Sequence, residues 1–328
     1  MKLVIQLPCH NEAESLPHTL AELPRAVPGI DIVEWILVDD GSTDRSVEIA
    51  RLHGIDHVVS LPGRRGLASA FMAGLETALR IGADVIVSTD SDNQYRGADV
   101  AALVRPIVEG RADMVIGQRP ADSTAFSPVR GLLQRLGSAV VRNAAGTSVS
   151  DATSGFRAYS QEAALQINVF SRFSYTLETI IQLGIHRARI VSIPIGVNSV
   201  TRPSRLFRSI PEFVVRQALT IVRIFVIYRT VEVLAWPGVA LFVLGLLPSV
   251  RFLSLYLAGR GQGHVQSLIL ASLLLSVGVL LLLAAMVASL AATNRVLLED
   301  LRVRIRRMEI EQAARGHSRD DHGKIIQK

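Results

Sequence analysis

Two long apolar runs near the C-terminal end restrict the fold of this chain more than any other feature. Leu234–Val250 carries no charged residue, Arg251 follows it, and Val265–Ala292 is uncharged throughout. A helix that crosses a bilayer needs about 20 predominantly apolar residues. The second run exceeds this length, and the first reaches it if Arg251 extends its guanidinium to the membrane surface. We predict a transmembrane hairpin; the alternative is a helical hairpin buried within a soluble protein.

The charges around these runs predict their orientation. The connection Gly259–His264 holds one arginine, Arg260, whereas both outer flanks are rich in arginine. Because basic flanks stay in the cytoplasm, we expect both ends of the hairpin there. The N-terminus lacks the charged and then apolar pattern of a signal peptide, since Pro8 and Glu12 interrupt it. The preceding domain is therefore also expected in the cytoplasm.

The basic character of the chain indicates an anionic partner. The formal net charge is +6, but aromatic residues make up only 5% and the cations lie beside apolar segments. This pattern favours a membrane surface or a phosphate-bearing substrate over nucleic acid. A single cysteine, Cys9, excludes an internal disulfide and a cysteine-rich zinc site.

The first part of the chain alternates short apolar runs with helical patterns, which predicts an α/β fold with a mostly parallel, Rossmann-like sheet. The predicted strands are Leu3–Leu7, Glu34–Val38, Asp56–Leu61, Val85–Thr89, Asp113–Gly117 and Ile190–Val197. Helices are expected at about 44–52, 66–81, 98–109 and 173–183. The segment DATSGFRAY, residues 151–159, is expected to return toward the sheet.

Two carboxylates follow one of these strands directly. Asp90 and Asp92, one residue apart, would project to the same side beyond the end of Val85–Thr89. In an open α/β sheet this edge binds ligands. Adjacent carboxylates repel each other, and a divalent cation shared with a diphosphate would relieve the repulsion. The alternative is a solvated turn, because aspartate, serine and asparagine are common in loops.

Two further acidic clusters follow the first two strands. Asn11 and Glu12 end one strand, and Asp39 and Asp40 end the next. Carboxylates at one sheet edge can accept hydrogen bonds from ribose hydroxyls and from a base. Neither glycine-rich phosphate loop, GxGxxG or GxxxxGK[ST], occurs. This absence argues against a dinucleotide oxidoreductase and a P-loop ATPase, and the phosphates are expected to be neutralised by metal and arginine.

Four motifs resemble a known enzyme family. LPCHNE, VDDGSTD, DSDNQY and TSGFRAY, in this order and spacing, resemble the GT-A glycosyltransferases of family 2. With the hairpin behind them, they resemble the polyprenyl-phosphate branch, which includes dolichol-phosphate mannosyltransferases. The resemblance implies inverting, metal-dependent transfer of a hexose from a GDP- or UDP-sugar to polyprenyl or dolichyl phosphate. The rivals are a family 2 transferase with another membrane lipid or glycan acceptor, and an inactive membrane scaffold.

The resemblance also implies roles for the loops after the strands. The residues that would line the base and ribose of the nucleotide are Pro8, Asn11, Glu12, Asp39 and Asp40. Asp90 and Asp92 would bind Mg²⁺ or Mn²⁺, and Gln94 would support the metal shell or the donor phosphate.

Arginines take the phosphate-binding roles that the resemblance implies. Arg202, helped by Arg205, would close over the donor diphosphate, and Arg119 and Arg130 would hold the acceptor phosphate. Ser91 stands where alanine is usual, which leaves the sugar and nucleotide open.

The reaction does not require a general base. A phosphate monoester has a second pKa of about 6, so a lipid phosphate arrives already ionised. The enzyme then has to position the reactants and neutralise charge. The candidate catalytic residues are Asp92, Arg119, Arg130, Asp151 and Glu178. We expect Asp151 to fix Arg157 or the neighbouring loop, and Glu178 to accept a hydrogen bond from the donor sugar.

The predicted domain order is a catalytic domain at 1–207, an amphipathic interface helix region at 208–230, two transmembrane helices at 231–293 and a basic cytoplasmic tail at 294–328. The helix region could instead pack on the domain core. The tail arginines are Arg302, Arg304, Arg306 and Arg307. We expect them to contact anionic lipid or a neighbouring subunit, which would allow a homo-oligomer through the hairpin and tail; the alternative is a solvated face.

Overall fold

The computed structural model describes residues 1–120, 149, 151–169, 175–198, 230–259 and 265–325. The chain forms two compact units, one of Met1–Ala218 with Val303–Lys328 and one of Leu219–Arg302. Several predictions fall outside the described residues, namely those for Arg130, Arg202, Arg205 and the interface helix at 208–230.

The first unit is built on one mixed sheet, which in the described residues has seven strands. They are β1 (Lys2–Cys9), β2 (Ile32–Asp39), β3 (His57–Ser60), β4 (Val85–Ser88), β5 (Met114–Gln118), β6 (Arg157–Ser160) and β7 (Ile190–Pro194). Their spatial order is β3-β2-β1-β4-β6-β5-β7. Only β6 runs antiparallel to its neighbours β4 and β5 within this described sheet. The predicted α/β fold with a mostly parallel sheet is confirmed.

Six helices pack on this sheet in the described part of the unit. They are α1 (Leu16–Glu22), α2 (Ser46–Leu52), α3 (Leu67–Arg80), α4 (Val100–Val108), α5 (Gln161–Gln166) and α6 (Thr176–Ile185). The sequence patterns did not predict α1 and α5, which have 7 and 6 residues. Helices this short show too few turns for an apolar periodicity. Their starts carry local signals instead, a proline in the first turn of α1 and a Ser160 cap on α5.

Strand β1 lies at the centre of the core and is covered on both faces. Leu3, Ile5 and Leu7 are fully buried in the cluster that includes residues of α1 and α4. On the other face Gln6 lies against α3, where a Cβ added to Gly74 would be 2.0 Å from the Gln6 Oε1 atom. A glycine therefore lets α3 approach β1 closely, which fixes the helix over the middle of the sheet.

The second unit contains the two apolar runs, and both are helical. Helix α7 spans Thr230–Leu257, and α8 spans Val265–Ile325 and continues beyond the unit. Both are long and apolar enough to cross a membrane. Their large apolar side chains mostly point outward, for example Trp236 at 73% and Leu247 at 64% exposure.

Small residues form the contact between α7 and α8. A Cβ on Gly238 would touch Leu282, and one on Gly245 would lie 2.9 Å from Leu275. Residue numbers thus rise along one helix while they fall along the other, so the two helices are antiparallel. Gly278 completes the seam, since its Cβ would lie 2.8 Å from a backbone nitrogen of α7. Close approach at small residues is typical of helices that pack in membranes, and the predicted helical hairpin is confirmed.

The structure corrects the expectation for two tail arginines. Arg306 is buried and its guanidinium contacts Glu76, while Arg307 pairs with Glu162. Both partners, Glu76 and Glu162, belong to the first unit of this chain. The two arginines therefore contact neither lipid nor another subunit through these pairs. The sequence could not reveal these pairs, because the partners are separated by 230 and 145 positions along the chain.

Candidate active site

The site lies at the carboxyl end of the sheet, where the strand order reverses. Strand β1 has β2 on one side and β4 on the other, and all three are parallel. The chain first moves outward from β1 through β2 to β3 and then crosses to β4. The loops after β1 and β4 therefore diverge and leave a crevice, which is the usual ligand position in such sheets. The three predicted acidic clusters follow β1, β2 and β4, so the structure brings them to one edge.

The carboxylates after β4 occupy different environments. Asp90 is partly buried and Asp92 is exposed. Burial and the nearby charge of Asp92 raise the pKa of Asp90 to about 7, against the opposing effect of Arg119. No described residue donates a hydrogen bond to the Asp90 carboxylate, whereas Asp92 Oδ1 accepts one from the Gln94 N–H at 3.1 Å. Added positive charge beside Asp90 would therefore favour its ionised form.

Ser91, between the two carboxylates, is a structural link. Its hydroxyl donates to the Pro8 carbonyl at 2.9 Å, and its own carbonyl accepts from the hydroxyls of Ser15 and Thr19 at 3.0 and 3.1 Å. The side chain is buried, so it faces the end of β1 and not the crevice. Ser91 thus holds the D-x-D turn to β1 and α1, a role that its position in the motif did not predict.

The acidic residues after β2 bind the backbone of adjacent loops. Asp40 accepts hydrogen bonds from the N–H groups of Arg65 and Gly66 at 2.6 and 2.9 Å, which fixes the start of α3. Asp39 accepts one from the Ser42 N–H at 2.9 Å. Both carboxylates are largely buried. Both carboxylates lie at the carboxyl end of the sheet, as predicted. Their hydrogen bonds to backbone N–H groups also hold the loops there in place.

The loop after β1 is bonded to the loop after β2. Asn11 adopts a left-handed backbone with φ of 57°, which asparagine tolerates better than most residues. Its side-chain oxygen accepts from the Thr43 N–H at 2.7 Å, and the Glu12 N–H donates to the Ser46 hydroxyl at 2.8 Å. These bonds preform the edge of the crevice on the β2 side.

Arg119 directly follows β5, interacts electrostatically with Asp90 and is held by Asp151. Its Nε and Nη2 atoms donate to the two Asp151 oxygens at 2.8 and 3.1 Å, and Nη2 also donates to the Thr153 hydroxyl at 2.9 Å. Burial alone would raise the pKa of Asp151, but the hydrogen bonds from Arg119 hold it below its usual value. Of the two expected partners of Asp151, Arg157 is replaced by Arg119. The neighbouring loop is held as expected, since Asp151 Oδ1 accepts from the Thr153 N–H and hydroxyl at 3.3 and 2.9 Å.

Arg157 instead anchors the backbone around the crevice. It is fully buried and donates to the carbonyls of Ser154, Ala152 and Thr176 at 2.6, 2.8 and 2.7 Å, and to the Thr179 hydroxyl at 2.9 Å. A buried guanidinium is tolerated only when its N–H groups are bonded in this way. Arg157 thereby ties the loop before β6 to the start of α6.

Behind Asp90 lies a wall that the sequence did not predict. A Cβ on Gly155 would be 3.1 Å from Asp90 Oδ1, so a larger residue here would push this carboxylate aside by a few tenths of an ångström. The Gly155 N–H donates to the Tyr95 hydroxyl at 3.1 Å, and the Tyr175 hydroxyl donates to the Gly155 carbonyl at 3.2 Å. Burial and then the Asp90 charge raise the pKa of Tyr95 to about 12, so its hydroxyl stays protonated. The sequence feature that could have indicated this contact is the glycine of TSGFR, which is Gly155.

Two further predicted site residues, Glu178 and Gln94, lie in the described part of the chain. Glu178 is on α6 and only 5% exposed. The Gln94 carbonyl accepts from the Asn198 N–H at 2.9 Å, and Tyr95 forms an antiparallel bridge with Val197. The chain that leads to Arg202 is therefore bonded to residues directly after Asp92.

Comparisons with known proteins agree with this geometry. Residues 4–167, half of the chain, match the family model described as glycosyl transferase family 2. The undecaprenyl-phosphate mannosyltransferase of Micrococcus luteus is 31% identical over 206 residues, which cover 60% of this chain and 83% of that protein. The polyprenol monophosphomannose synthase of Mycolicibacterium smegmatis is 31% identical over 176 residues, covering 51% of this chain and 65% of that protein.

Solved structures show the same fold. Glucosyl-3-phosphoglycerate synthase from Mycobacterium tuberculosis superimposes with a TM-score of 0.53 at 22% identity, covering 67% of this chain and 79% of that one. The matched family model, the relatives and the acidic crevice lead to one conclusion: this chain belongs to glycosyl transferase family 2 and is a GT-A glycosyltransferase.

Proposed function

We propose that this glycosyltransferase transfers a hexose, with inversion, from a GDP- or UDP-sugar to a polyprenyl phosphate at the cytoplasmic face of a membrane. The observation that carries the proposal is the pair Asp90 and Asp92 at the switch point of the sheet, with the Arg119 guanidinium near enough to lower the pKa of Asp90. Such a crevice offers oxygen ligands and a fixed positive charge. The donor diphosphate and the acceptor phosphate are both negatively charged. Bringing them together therefore requires the oxygen ligands for a cation as well as the positive charge.

The donor set suits Mg²⁺ or Mn²⁺. Adjacent carboxylates provide hard oxygen ligands, and these cations commonly bind one or two carboxylates together with waters and substrate phosphates. The described residues contain no group of three or more His, Cys, Asp or Glu side chains placed to hold a metal. Asp90 and Asp92 would hold the cation, with Gln94 beside them. When bound, the cation stabilises negative charge on the departing diphosphate.

The nucleotide would lie against the preformed loops after β1 and β2. Their residues for the base and ribose are Pro8, Asn11, Glu12, Asp39 and Asp40. The hydrogen bonds between these loops hold the polar groups in place before the donor arrives. Preorganised polar groups cost little reorganisation on binding, which favours the reaction.

The acceptor phosphate would meet Arg119. Asp151 and Thr153 engage Nε and Nη2, and Nη1 donates no hydrogen bond to a described residue. We assign Asp151 the role of orienting this guanidinium and Glu178 that of contacting the donor sugar. Arg130 would share the acceptor phosphate, and arginines 202 and 205 would neutralise the diphosphate.

Two further observations favour a lipid acceptor. The antiparallel helices α7 and α8 are long and apolar enough to cross a membrane. The named relatives from Micrococcus luteus and Mycolicibacterium smegmatis act on undecaprenyl phosphate and polyprenol phosphate by their names. We place the catalytic unit and both termini in the cytoplasm, because arginine is frequent on both outer flanks of the hairpin.

The test is a transfer assay with the full chain in detergent. Radiolabelled GDP- and UDP-hexoses are incubated with polyprenyl phosphate and MgCl₂ or MnCl₂, and label in the organic extract is counted. We expect lipid-linked label that is lost with EDTA and in Asp92→Asn, and retained in the exposed control Glu48→Gln. Label transferred only to neutral acceptors, or lipid-linked label unaffected by Asp92→Asn, would refute the proposal.

A further inference from the structure

The last helix returns to the catalytic unit through a buried arginine. Arg306 is 9% exposed. Its Nη1 donates to the carbonyls of Leu165 and Ile167 at 3.3 and 3.0 Å, and its Nη2 donates to Glu76 Oε1 at 2.6 Å. One guanidinium thus bridges the C-terminal end of α5 and the middle of α3.

The chemistry of this contact is specific for arginine. The carbonyls at a helix C-terminus carry partial negative charge, and Glu76 adds a full one. A planar guanidinium can bond both groups at once, whereas a lysine ammonium is a single point donor. The adjacent pair of Arg307 with Glu162 is exposed at 52% and 62%, so it adds little. Arg306 therefore supplies most of the specificity of this contact.

Helix α3 leads from this contact to the crevice. Its first turn follows the Arg65 and Gly66 N–H groups that bind the Asp40 carboxylate. Five residues before Glu76, the ring of Phe71 stacks on Tyr175 with centroids 3.9 Å apart and planes within 3°. Tyr175 in turn donates to the carbonyl of Gly155, the residue beside Asp90.

Helix α5 leads to the same place by a second route. It follows β6 directly, and β6 begins with Arg157, which binds the carbonyls of Ala152 and Ser154. A bridge between α3 and α5 thus connects the helix that packs on Tyr175 with the helix that follows β6. Catalytic groups must be held closely, and a displacement of about 1 Å far from the chemistry can cost 100-fold in rate.

We infer that Arg306 is a positioning residue for the transferase site, acting through α3 and α5. The segment Val303–Ile310, which follows the apolar hairpin in the chain, then contributes to the activity of the catalytic unit. The inference rests on the proposed function only for the choice of activity assay.

The test compares four variants of the full chain in detergent. Arg306→Ala removes the bridge, Arg306→Lys keeps the charge, and Glu76→Gln removes the negative charge on α3 but leaves an amide oxygen that can accept the Arg306 hydrogen bond. Glu309→Gln is the matched control, an exposed residue on the same helix. We expect kcat to fall about 10-fold in Arg306→Ala and less in Arg306→Lys and Glu76→Gln, with the sugar-donor KM changing less than kcat.

Hydrogen exchange separates positioning from loss of folding. In Arg306→Ala, amide exchange should rise at residues 161–167 and also at 65–71, while β1 and β2 keep their protection. Faster exchange at 161–167 alone with unchanged kcat would overturn the inference. A uniform rise across the sheet, with activity lost in proportion to unfolded protein, would also overturn it. If Arg306→Ala does not fold, Glu76→Gln decides by the same criteria.

Failure of the proposed function would be visible separately. Wild-type protein that makes no lipid-linked sugar would refute that function. Exchange, together with the affinities for GDP and UDP in MnCl₂, would still report whether Arg306 positions the site. We expect about threefold weaker nucleotide binding in Arg306→Ala, because the Asp40 contacts at the start of α3 loosen. Unchanged exchange at 65–71 with unchanged nucleotide affinity would refute the inference regardless of the acceptor.

Discussion

The ion pair between Arg119 and Asp151 should stabilise the catalytic unit far more than the exposed ion pairs. Asp151 is 3% exposed and Arg119 19%, and two hydrogen bonds of 2.8 and 3.1 Å join them. Removing one partner of a buried pair typically costs 3–5 kcal/mol, so we expect about 3 kcal/mol for Asp151→Asn, at the lower end because Arg119 keeps some contact with water. Arg45 and Glu48, at 73% and 56% exposure, should couple only weakly, because solvent screens an exposed pair.

A double-mutant cycle measures this difference. Asp151→Asn, Arg119→Met and the double variant are unfolded with urea in detergent, in a Trp236→Phe background so that the buried Trp35 reports on the catalytic unit. The same cycle on Arg45 and Glu48 is the control. A coupling energy for Asp151 and Arg119 no larger than that of the control pair would refute the reasoning.

The pair also predicts a pH dependence with a defined sign. Arg119 lowers the pKa of Asp151 in the folded protein, so the stabilisation is complete above the unfolded-chain value of about 3.9. It is lost as the pH falls through the lower folded value. The difference in stability between wild type and Asp151→Asn should therefore be constant near pH 7 and shrink below about pH 4. A difference that grows on acidification would contradict the assignment.

Three further predictions concern single positions. Gly155→Ala should weaken Mn²⁺ binding about 10-fold, because the new Cβ would lie 3.1 Å from Asp90 Oδ1 and displace this carboxylate oxygen. Isothermal titration measures the affinity, and an unchanged value would contradict this prediction. Cys9 should resist iodoacetamide at pH 8 until urea is added, since it is buried and burial raises the pKa of its thiol to about 11; rapid labelling of folded protein would argue against this. Gly278→Val should destabilise the hairpin, because its Cβ would lie 2.8 Å from the Phe242 nitrogen; an unchanged melting temperature in detergent would show that the helices do not pack there.

The acidic side of the site could be predicted because it depends on local pattern and one topological rule. Short apolar runs that alternate with helical segments predict parallel strands, and the carboxyl ends of parallel strands share an edge. Asp40, Asp90 and Glu12 each lie within three residues of the end of such a run. Their convergence therefore required no knowledge of the distances between them.

The opposite side of the site could not be predicted in this way. Gly155 and Tyr175 approach Asp90 from the loop before β6 and from the residue before α6, much later in the chain. Strand β6 enters the sheet antiparallel between β4 and β5. Nothing in the local pattern around residue 157 distinguishes this insertion from an addition at the sheet edge. The wall behind Asp90 depends on that insertion.

The sequence by itself determined the α/β class, the acidic sheet edge, the family and two apolar helices, because composition, periodicity and motif order are properties of neighbouring residues. Only the tertiary structure decided which charges pair. Asp151 binds Arg119, which is 32 positions away in the sequence, rather than Arg157, which is nearer in the sequence. Arg306 binds Glu76, which is 230 positions away. Arginine and carboxylate side chains at any separation are compatible with pairing, so the partner depends on how the chain folds back. Burial then makes that choice energetically important, since an unpaired charge in the interior is costly.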